Sequence, residues 1–176
     1  MCTCTRVSIF GMLSQKRDGV LIVDYRIDKT EKMTIVGLKR KYATGQKAKE
    51  HIYKFWLDFD AQQYKTTLTL LNNNYFAGIL GVCMPQNNGE MHYLIGVTTD
   101  DENNNFDAIV LQAGRYLVFE AKGPVPESIH NAMQHINKTL LPSLDYKLRE
   151  APFFEYYRDG NTAEDSYITE LWLPIE

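Results

Sequence analysis

Hydrophobic and polar positions change their spacing in a regular order along the first half of the chain. Apolar and β-branched residues run through 20–42 with a charged break at 28–32, and they predict two extended segments, the second a strand over Met33–Tyr42. From Gly45 to Phe59 apolar residues recur at helical spacing, which predicts an amphipathic helix. Two more strands, joined by a polar turn that contains Asn-Gly, are predicted at Gly78–Met84 and Met91–Thr98.

The second half repeats this order of patterns. A strand interrupted at Gly114 is predicted over Ala108–Ala121, and prolines then precede a helix at Glu127–Leu141. Two strands, Phe153–Tyr157 and Tyr167–Ile175, complete the unit. The order strand–helix–strand–strand therefore occurs twice. We expect an α+β fold in which the two units pair about a pseudo-twofold axis, with a ligand cleft at their junction.

Composition narrows the classes of function. The chain has 176 residues, 44% of them hydrophobic, which suits one globular domain or two small lobes. Its net charge is −3, so we expect no direct binding to nucleic acid or to an anionic membrane surface. No apolar run approaches the roughly 18 residues that span a bilayer.

The cysteines and histidines suggest neither a metal site nor a cofactor. There are three cysteines, Cys2, Cys4 and Cys83, and no Cys or His partner has a metal-ligand spacing. Cys83 lies in an apolar run and is predicted to be a small buried residue. No metal and no cofactor are expected, and the cysteine usage fits a reduced cytoplasm.

Several short motifs resemble one known family. They lie in Tyr116–Pro124, Pro152–Tyr157 and Glu170–Ile175 of the second half, and in Met33–Leu38 and Tyr93–Val97 of the first. Their order and spacing resemble the GyrI-like small-molecule-binding domain, which also serves as the effector-binding domain of AraC-type and MerR-type bacterial transcription regulators. The resemblance covers roughly residues 30–176.

The resemblance implies a domain organisation and a site. We expect an N-terminal extension at 1–30 and an effector-binding domain at 31–176, with repeat one near 31–100 and repeat two near 106–176. The family implies a central cleft for hydrophobic, often cationic, small molecules, with a carboxylate at the position of Glu155. The extension is too short for the DNA-binding helix-turn-helix of the regulators, so the expected form is a stand-alone member or a part of a longer regulator.

Alternation within the last hairpin supports an acidic site. It places Glu155 beside Tyr157 on one face of its strand, and Glu170 beside Trp172 on one face of the next. In the simplest register, with the turn centred near Ala163, we expect the two glutamates to lie close together. A cation stacked on aromatic rings would relieve the cost of burying such carboxylates.

Three aromatic residues of the first half are further candidates for the walls of the cleft: Tyr93, Tyr53 and Trp56. Aromatic residues at helical spacing are more often core residues than pocket residues, so they rank below Glu155 as ligand-binding candidates.

Small-molecule binding is the favoured function, with two alternatives. A hydrolase of reactive xenobiotic molecules could use Glu155 and Glu170 as general acid and base, because some members of the resembled family hydrolyse such molecules with cleft glutamates. A protein-interaction module of gyrase-inhibitor type is the second alternative. Turnover of an electrophilic xenobiotic would support the hydrolase, and a salt-insensitive pulldown of gyrase would support the interaction module.

Overall fold

A computed structural model describes residues 25–62, 64–101 and 105–176. The predictions for Cys2, Cys4 and the extended segment before Tyr25 lie outside these residues. No helix in the described part of the chain is long and apolar enough to cross a membrane.

Eight strands and three α-helices are present within the described residues. The strands are β1 Tyr25–Thr30, β2 Met33–Tyr42, β3 Ile79–Pro85, β4 Met91–Thr99, β5 Asp107–Leu111, β6 Gly114–Lys122, β7 Phe153–Tyr157 and β8 Ile168–Ile175. The helices are α1 Gly45–Ala61, α2 Tyr64–Leu71 and α3 Glu127–His135, the last continued by a π-helical turn, Ile136–Leu140, and a short 3-10 turn, Leu141–Ser143.

All eight strands form one antiparallel sheet in the order β1-β6-β8-β7-β3-β4-β2-β5. The order has a pseudo-twofold symmetry about the boundary between β7 and β3. Each half contains a strand–helix–strand–strand unit, β2 to β4 on one side and β6 to β8 on the other. The predicted α+β fold of two related units is confirmed.

The strand that precedes each unit in the chain pairs with the other unit. Strand β1 precedes β2 in the chain but pairs with β6, and β5 precedes β6 but pairs with β2. The interrupted strand predicted over Ala108–Ala121 is in fact two separate strands, β5 and β6, which lie in different halves of the sheet. Part of the segment assigned to an N-terminal extension, Tyr25–Thr30, belongs to the sheet.

Both repeat helices cover the same face of the sheet. Phe55 and Phe59 of α1 and Ile129 of α3 belong to one buried cluster together with residues of that face. The Thr44 side chain caps α1 by accepting a hydrogen bond of 3.1 Å from the Lys47 backbone N–H. Helix α2 was not predicted; it has only eight residues, and Leu68 is its one buried residue.

The opposite face of the sheet has a second buried cluster, rich in aromatic rings. Phe76 lies in the segment before β3 and contacts the rings of Phe154, Tyr156 and Trp172 at centroid distances of 5.1–5.4 Å. The sheet therefore separates two cores, and the face on which a side chain lies decides its environment.

Candidate functional site

A cleft of about 970 Å³ lies between α1 and α3, above the junction of the two units. Its floor comes from β3 and β7, which pair antiparallel with Gly81 opposite Glu155. The walls carry apolar side chains from both helices, among them Ile52 of α1 and Met133 of α3. Because β3 and β7 flank the pseudo-twofold axis, the cleft is built from corresponding elements of the two repeats.

Glu155 lies on this floor, between the two helices. The alternation predicted for β7 is confirmed, since Phe153, Glu155 and Tyr157 all line the cleft while Phe154 and Tyr156 belong to the opposite core. Tyr93 and Tyr157 both donate hydrogen bonds to the same carboxylate oxygen, Oε2, each at 2.8 Å. Within the described residues, Oε1 has no hydrogen-bond partner and the carboxylate has no ion pair.

The surroundings of Glu155 favour its neutral form. Burial raises the pKa of the Glu155 carboxyl above its ordinary value of 4.5, and the hydrogen bonds from Tyr157 and Tyr93 lower the pKa by a smaller amount. Burial also raises the pKa values of both phenols well above the ordinary range, and the neighbouring carboxylate raises them further. The phenols therefore keep their protons and remain donors to Oε2.

Trp56 connects α1 to this hydrogen-bond network. Its indole N–H donates to the Tyr93 hydroxyl at 3.1 Å, and its ring lies 4.7 Å from the Tyr157 ring, centroid to centroid. A chain of hydrogen bonds thus runs from Trp56 through Tyr93 to Glu155. It fixes the orientation of the carboxylate relative to the aromatic wall.

The structure brings together five of the seven predicted site residues. Glu155, Trp56 and Tyr157 line the cleft, and Tyr53 lines its rim with 58% of its surface exposed. Tyr93 is fully buried beneath the floor, so it contacts the carboxylate and forms no wall of the cleft.

Glu170 and Trp172 lie on the opposite face, so the expected pair of close glutamates is wrong. In the hairpin of β7 and β8, Glu155 lies opposite Leu171 and Glu170 lies opposite Tyr156. Residues one position apart on a strand point to opposite faces, and this offset of one residue moves Glu170 away from the cleft.

Glu170 has a structural environment of its own. Its side chain is 1% exposed, forms ion pairs with Arg26 at 2.9 Å and with Arg158, and accepts a hydrogen bond of 2.9 Å from the Trp172 indole. Trp172 is fully buried, stacked on Phe154 with a centroid distance of 5.2 Å. These contacts satisfy the charge of Glu170 without a ligand.

The cleft also contains residues that sequence reasoning missed. Ile129 and Met133 of α3 line the cleft, although the sequence predicted only a helix over this segment. The repeat itself carried the signal, because α3 is the counterpart of α1. Gly81 was missed as well, and its absent side chain makes room for the Tyr93 hydroxyl, which an added Cβ would approach to 2.1 Å.

Among the described residues, the cleft has one thiol and no assembled metal ligands. Cys83 lines the floor but is 6% exposed, which confirms its prediction as a buried residue, and burial raises its pKa well above the ordinary value. This part of the chain contains no group of three or more His, Cys, Asp or Glu side chains placed to hold a metal ion.

Comparison with known proteins identifies similar sequences and folds. The family described as Cass2, integron-associated effector binding protein, matches residues 26–175. The solved structure of SAV2435 bound to tetraphenylphosphonium is 37% identical, with a TM-score of 0.82, and the match covers 87% of this chain and 94% of that one. No curated protein matches the chain.

Two further structures share the fold. A putative bacterial transcription regulation protein from Staphylococcus aureus MU50 is 36% identical with a TM-score of 0.77, over 88% of this chain and 99% of that one. The C-terminal domain of EcmrR is 14% identical with a TM-score of 0.56, over 89% and 99% of the two chains.

Proposed function

This chain belongs to the Cass2 family of integron-associated effector-binding proteins, and we propose that it binds hydrophobic cationic small molecules in the cleft between its two repeats. One observation carries the proposal. The Glu155 carboxylate lies on the floor of a cleft of about 970 Å³ and has no cationic partner within the described residues.

The physical chemistry of this floor favours a cation. A carboxylate in apolar surroundings without a counter-charge costs several kcal/mol or takes up a proton. A positively charged ligand supplies the missing charge, and each good contact with an aromatic ring adds about 0.5–2 kcal/mol. Trp56 and Tyr157 present such rings beside the carboxylate.

A similar protein supports the choice of ligand class. SAV2435 was solved with tetraphenylphosphonium, a bulky cation whose charge is covered by apolar rings. The cleft of this chain combines the two features that suit such a cation, a large volume with apolar walls and a half-buried acid on the floor. Because apolar contact is tolerant of shape, we propose that several unrelated lipophilic cations bind, as expected of a multidrug-binding effector domain.

Binding is proposed in preference to hydrolysis. The hydrolase alternative required Glu155 and Glu170 to act together as acid and base. Glu170 lies on the opposite face of the sheet and is held by Arg26 and Arg158. Within the described residues the cleft therefore offers one glutamate on its floor.

Calorimetry with an isosteric pair of ligands tests the proposal. The biphenyl probe 4-trimethylammonium-biphenyl and its neutral analogue 4-tert-butylbiphenyl have nearly the same shape and differ in charge. We expect Glu155→Gln to weaken binding of the cationic probe by roughly 1.5–3 kcal/mol, the scale of a contact with a charged group. Binding of the neutral probe should change little.

The matched control is Glu170→Gln, which removes a buried carboxylate of the same hairpin outside the cleft. It should leave the affinity of both probes unchanged in the folded protein. Equal losses for both probes in Glu155→Gln would show that Glu155 is structural, and the proposed function would be withdrawn.

A further inference from the structure

Resting on the proposed function, we infer that Gly81, Tyr93 and Tyr157 turn Glu155 into an acceptor with one available oxygen, so that the cleft selects cations without N–H donors over guanidinium and amidinium groups. The preferred ligands are quaternary ammonium, phosphonium and similar onium ions. The two carboxylate oxygens of Glu155 have different surroundings, and this difference decides the selectivity.

Oxygen Oε2 is enclosed from three sides. The hydroxyls of Tyr93 and Tyr157 each lie 2.8 Å from it and donate to it. The third side is the backbone of Gly81, where an added Cβ would come within 2.9 Å of Oε2 and 2.1 Å of the Tyr93 hydroxyl. Glycine at this position of β3 therefore permits the Tyr93 hydroxyl to reach the oxygen that Tyr157 also contacts.

The remaining polar groups of the floor are occupied by one another. The Tyr93 hydroxyl donates to Glu155 and accepts from the indole N–H of Trp56, so neither its proton nor the indole proton is free for a ligand. The proton of the Tyr157 hydroxyl is likewise committed to Oε2. A ligand on the floor thus meets Oε1 as its one charged acceptor, surrounded by aromatic faces, aliphatic side chains, the Cys83 thiol and the neutral oxygen of the Tyr157 hydroxyl.

This arrangement discriminates between kinds of cation. A guanidinium group carries five N–H donors in a planar fork and pairs best with both oxygens of a carboxylate at once. Against Glu155 it would contact one carboxylate oxygen and not two, so it loses the bidentate pairing, and its other donors reach at best neutral acceptors, which is unfavourable. An onium ion has no N–H donor, so it gains the charge contact with Oε1 and the ring contacts without leaving a donor unsatisfied.

Acidic groups at the rim do not remove this discrimination. Asp60 and Asp159 line the opening of the cleft, and both are exposed to solvent. Contacts of a guanidinium group with exposed carboxylates contribute little, because water and salt screen them. Lys49, Lys65, Lys138 and Arg158 also line the cleft, and their charges act on both kinds of monocation alike, so they do not change the discrimination.

The test compares two monocations on the same biphenyl scaffold, one with a trimethylammonium group and one with a guanidinium group, by calorimetry. We expect the wild-type protein to bind the trimethylammonium probe at least tenfold more tightly, the scale of one hydrogen bond to a charged group. Tyr157→Phe and the double variant Tyr93→Phe/Tyr157→Phe free Oε2 stepwise. The ratio of the two affinities should shift toward the guanidinium probe by about tenfold in the double variant.

Two further variants complete the design. Gly81→Ala displaces the Tyr93 hydroxyl and should shift the ratio in the same direction. Tyr156→Phe removes a phenol from the neighbouring position on the opposite face, and it should leave the ratio unchanged. The ratio of the two affinities cancels any general effect of a substitution on the charge of Glu155. The preference of the wild-type protein is measured without any variant, so it remains a test even if a variant fails to fold.

The outcomes separate this inference from the function on which it rests. Equal or tighter binding of the guanidinium probe by wild-type protein, with both cations weakened by Glu155→Gln, would overturn the selectivity and leave the proposed function standing. A wild-type preference that the double variant retains would overturn the roles of the tyrosines. Binding of both cations no tighter than the neutral tert-butyl probe would overturn the proposed function itself.

Discussion

The carboxyl group of Glu155 is the costliest group to place on the floor of the cleft. It is placed among apolar and aromatic groups, and two phenol donors offset only part of the cost, because the pKa remains above its ordinary value. An unliganded protein therefore carries an electrostatic cost, which the proposed cationic ligand would relieve. From the same cost we can predict how Glu155 affects the stability of the protein without a ligand.

We predict that Glu155→Gln stabilises the unliganded protein near neutral pH. The pKa of Glu155 is raised in the folded state, so the folded protein keeps a proton that the unfolded chain loses above about pH 4.5. The stability that this group contributes is present at lower pH and is lost as pH rises through the folded-state pKa. Glutamine does not titrate, so the variant should have the higher Tm at about pH 8, with the difference shrinking toward about pH 4.

Thermal unfolding of both proteins across this pH range measures the effect. In a chain of this size, each kcal/mol of difference in the free energy of unfolding shifts Tm by about 2–4 °C. Glu150→Gln, at an exposed position, serves as the control and should give a pH profile like that of the wild-type protein. A Glu155→Gln variant that is less stable than wild type at about pH 8 would contradict the assignment of a carboxyl that burial destabilises.

The sequence correctly placed Glu155 in the cleft and wrongly placed Glu170 there, and both outcomes have the same physical reason. Alternation states which residues of a strand share a face, but it does not state which face meets which core. For Glu155 the resemblance to a known family supplied that information. For Glu170 the deciding partner is Arg26 in the first strand, and no local pattern connects residues so far apart in the chain.

Among the elements, β2 and β4 leave no room for a side chain at one position of their pairing. Gly37 and Gly96 lie opposite each other in this strand pair. A Cβ on Gly37 would come within 2.0 Å of the Ile95 carbonyl oxygen, and one on Gly96 within 2.2 Å of the Val36 carbonyl oxygen. Both clashes involve backbone atoms, so neither can be relieved by rotation of a side chain.

We therefore predict that Gly37→Ala destabilises the fold by about 1–3 kcal/mol or more, the range of an overpacked core. Urea unfolding measures the change in the free energy of unfolding. Gly45→Ala is the matched control, since its Cβ would make an ordinary contact of 3.8 Å with Met91, and at the start of α1 alanine favours the helix. Equal stability of the two variants would argue against the close approach of β2 and β4.

Element boundaries were predictable where the hydrophobic period is strong. Strand β2, helix α1 and the two hairpins lie at or within two residues of their predicted positions. The separate partners of β5 and β6 were not predictable, because the choice of neighbouring strand depends on the whole sheet. Gly114, which the sequence marked as an interruption, is the first residue of β6.

On the scale of the whole molecule, the exchanged strands bind the two repeats together. Strand β1 completes the edge of the second unit, and β5 completes the edge of the first. The β3–β7 pair joins the units at the centre, directly beneath the cleft. The sequence revealed the duplication but not this exchange, because edge pairing is decided by contacts between distant segments.

We predict that the two repeats unfold together and not one after the other, because unfolding either unit would also remove a strand partner and the cleft floor from the other. The two tryptophans report on different places: Trp56 on the cleft in the first repeat, and Trp172 in the opposite core, on a strand of the second. In each of the single-tryptophan variants Trp56→Phe and Trp172→Phe, urea unfolding followed by fluorescence and by far-UV circular dichroism should give one shared midpoint. Comparing the two signals within one variant removes the effect of each substitution on total stability. Separate midpoints in either variant would show that one repeat survives without the other, and the exchanged strands would then contribute little to joining them.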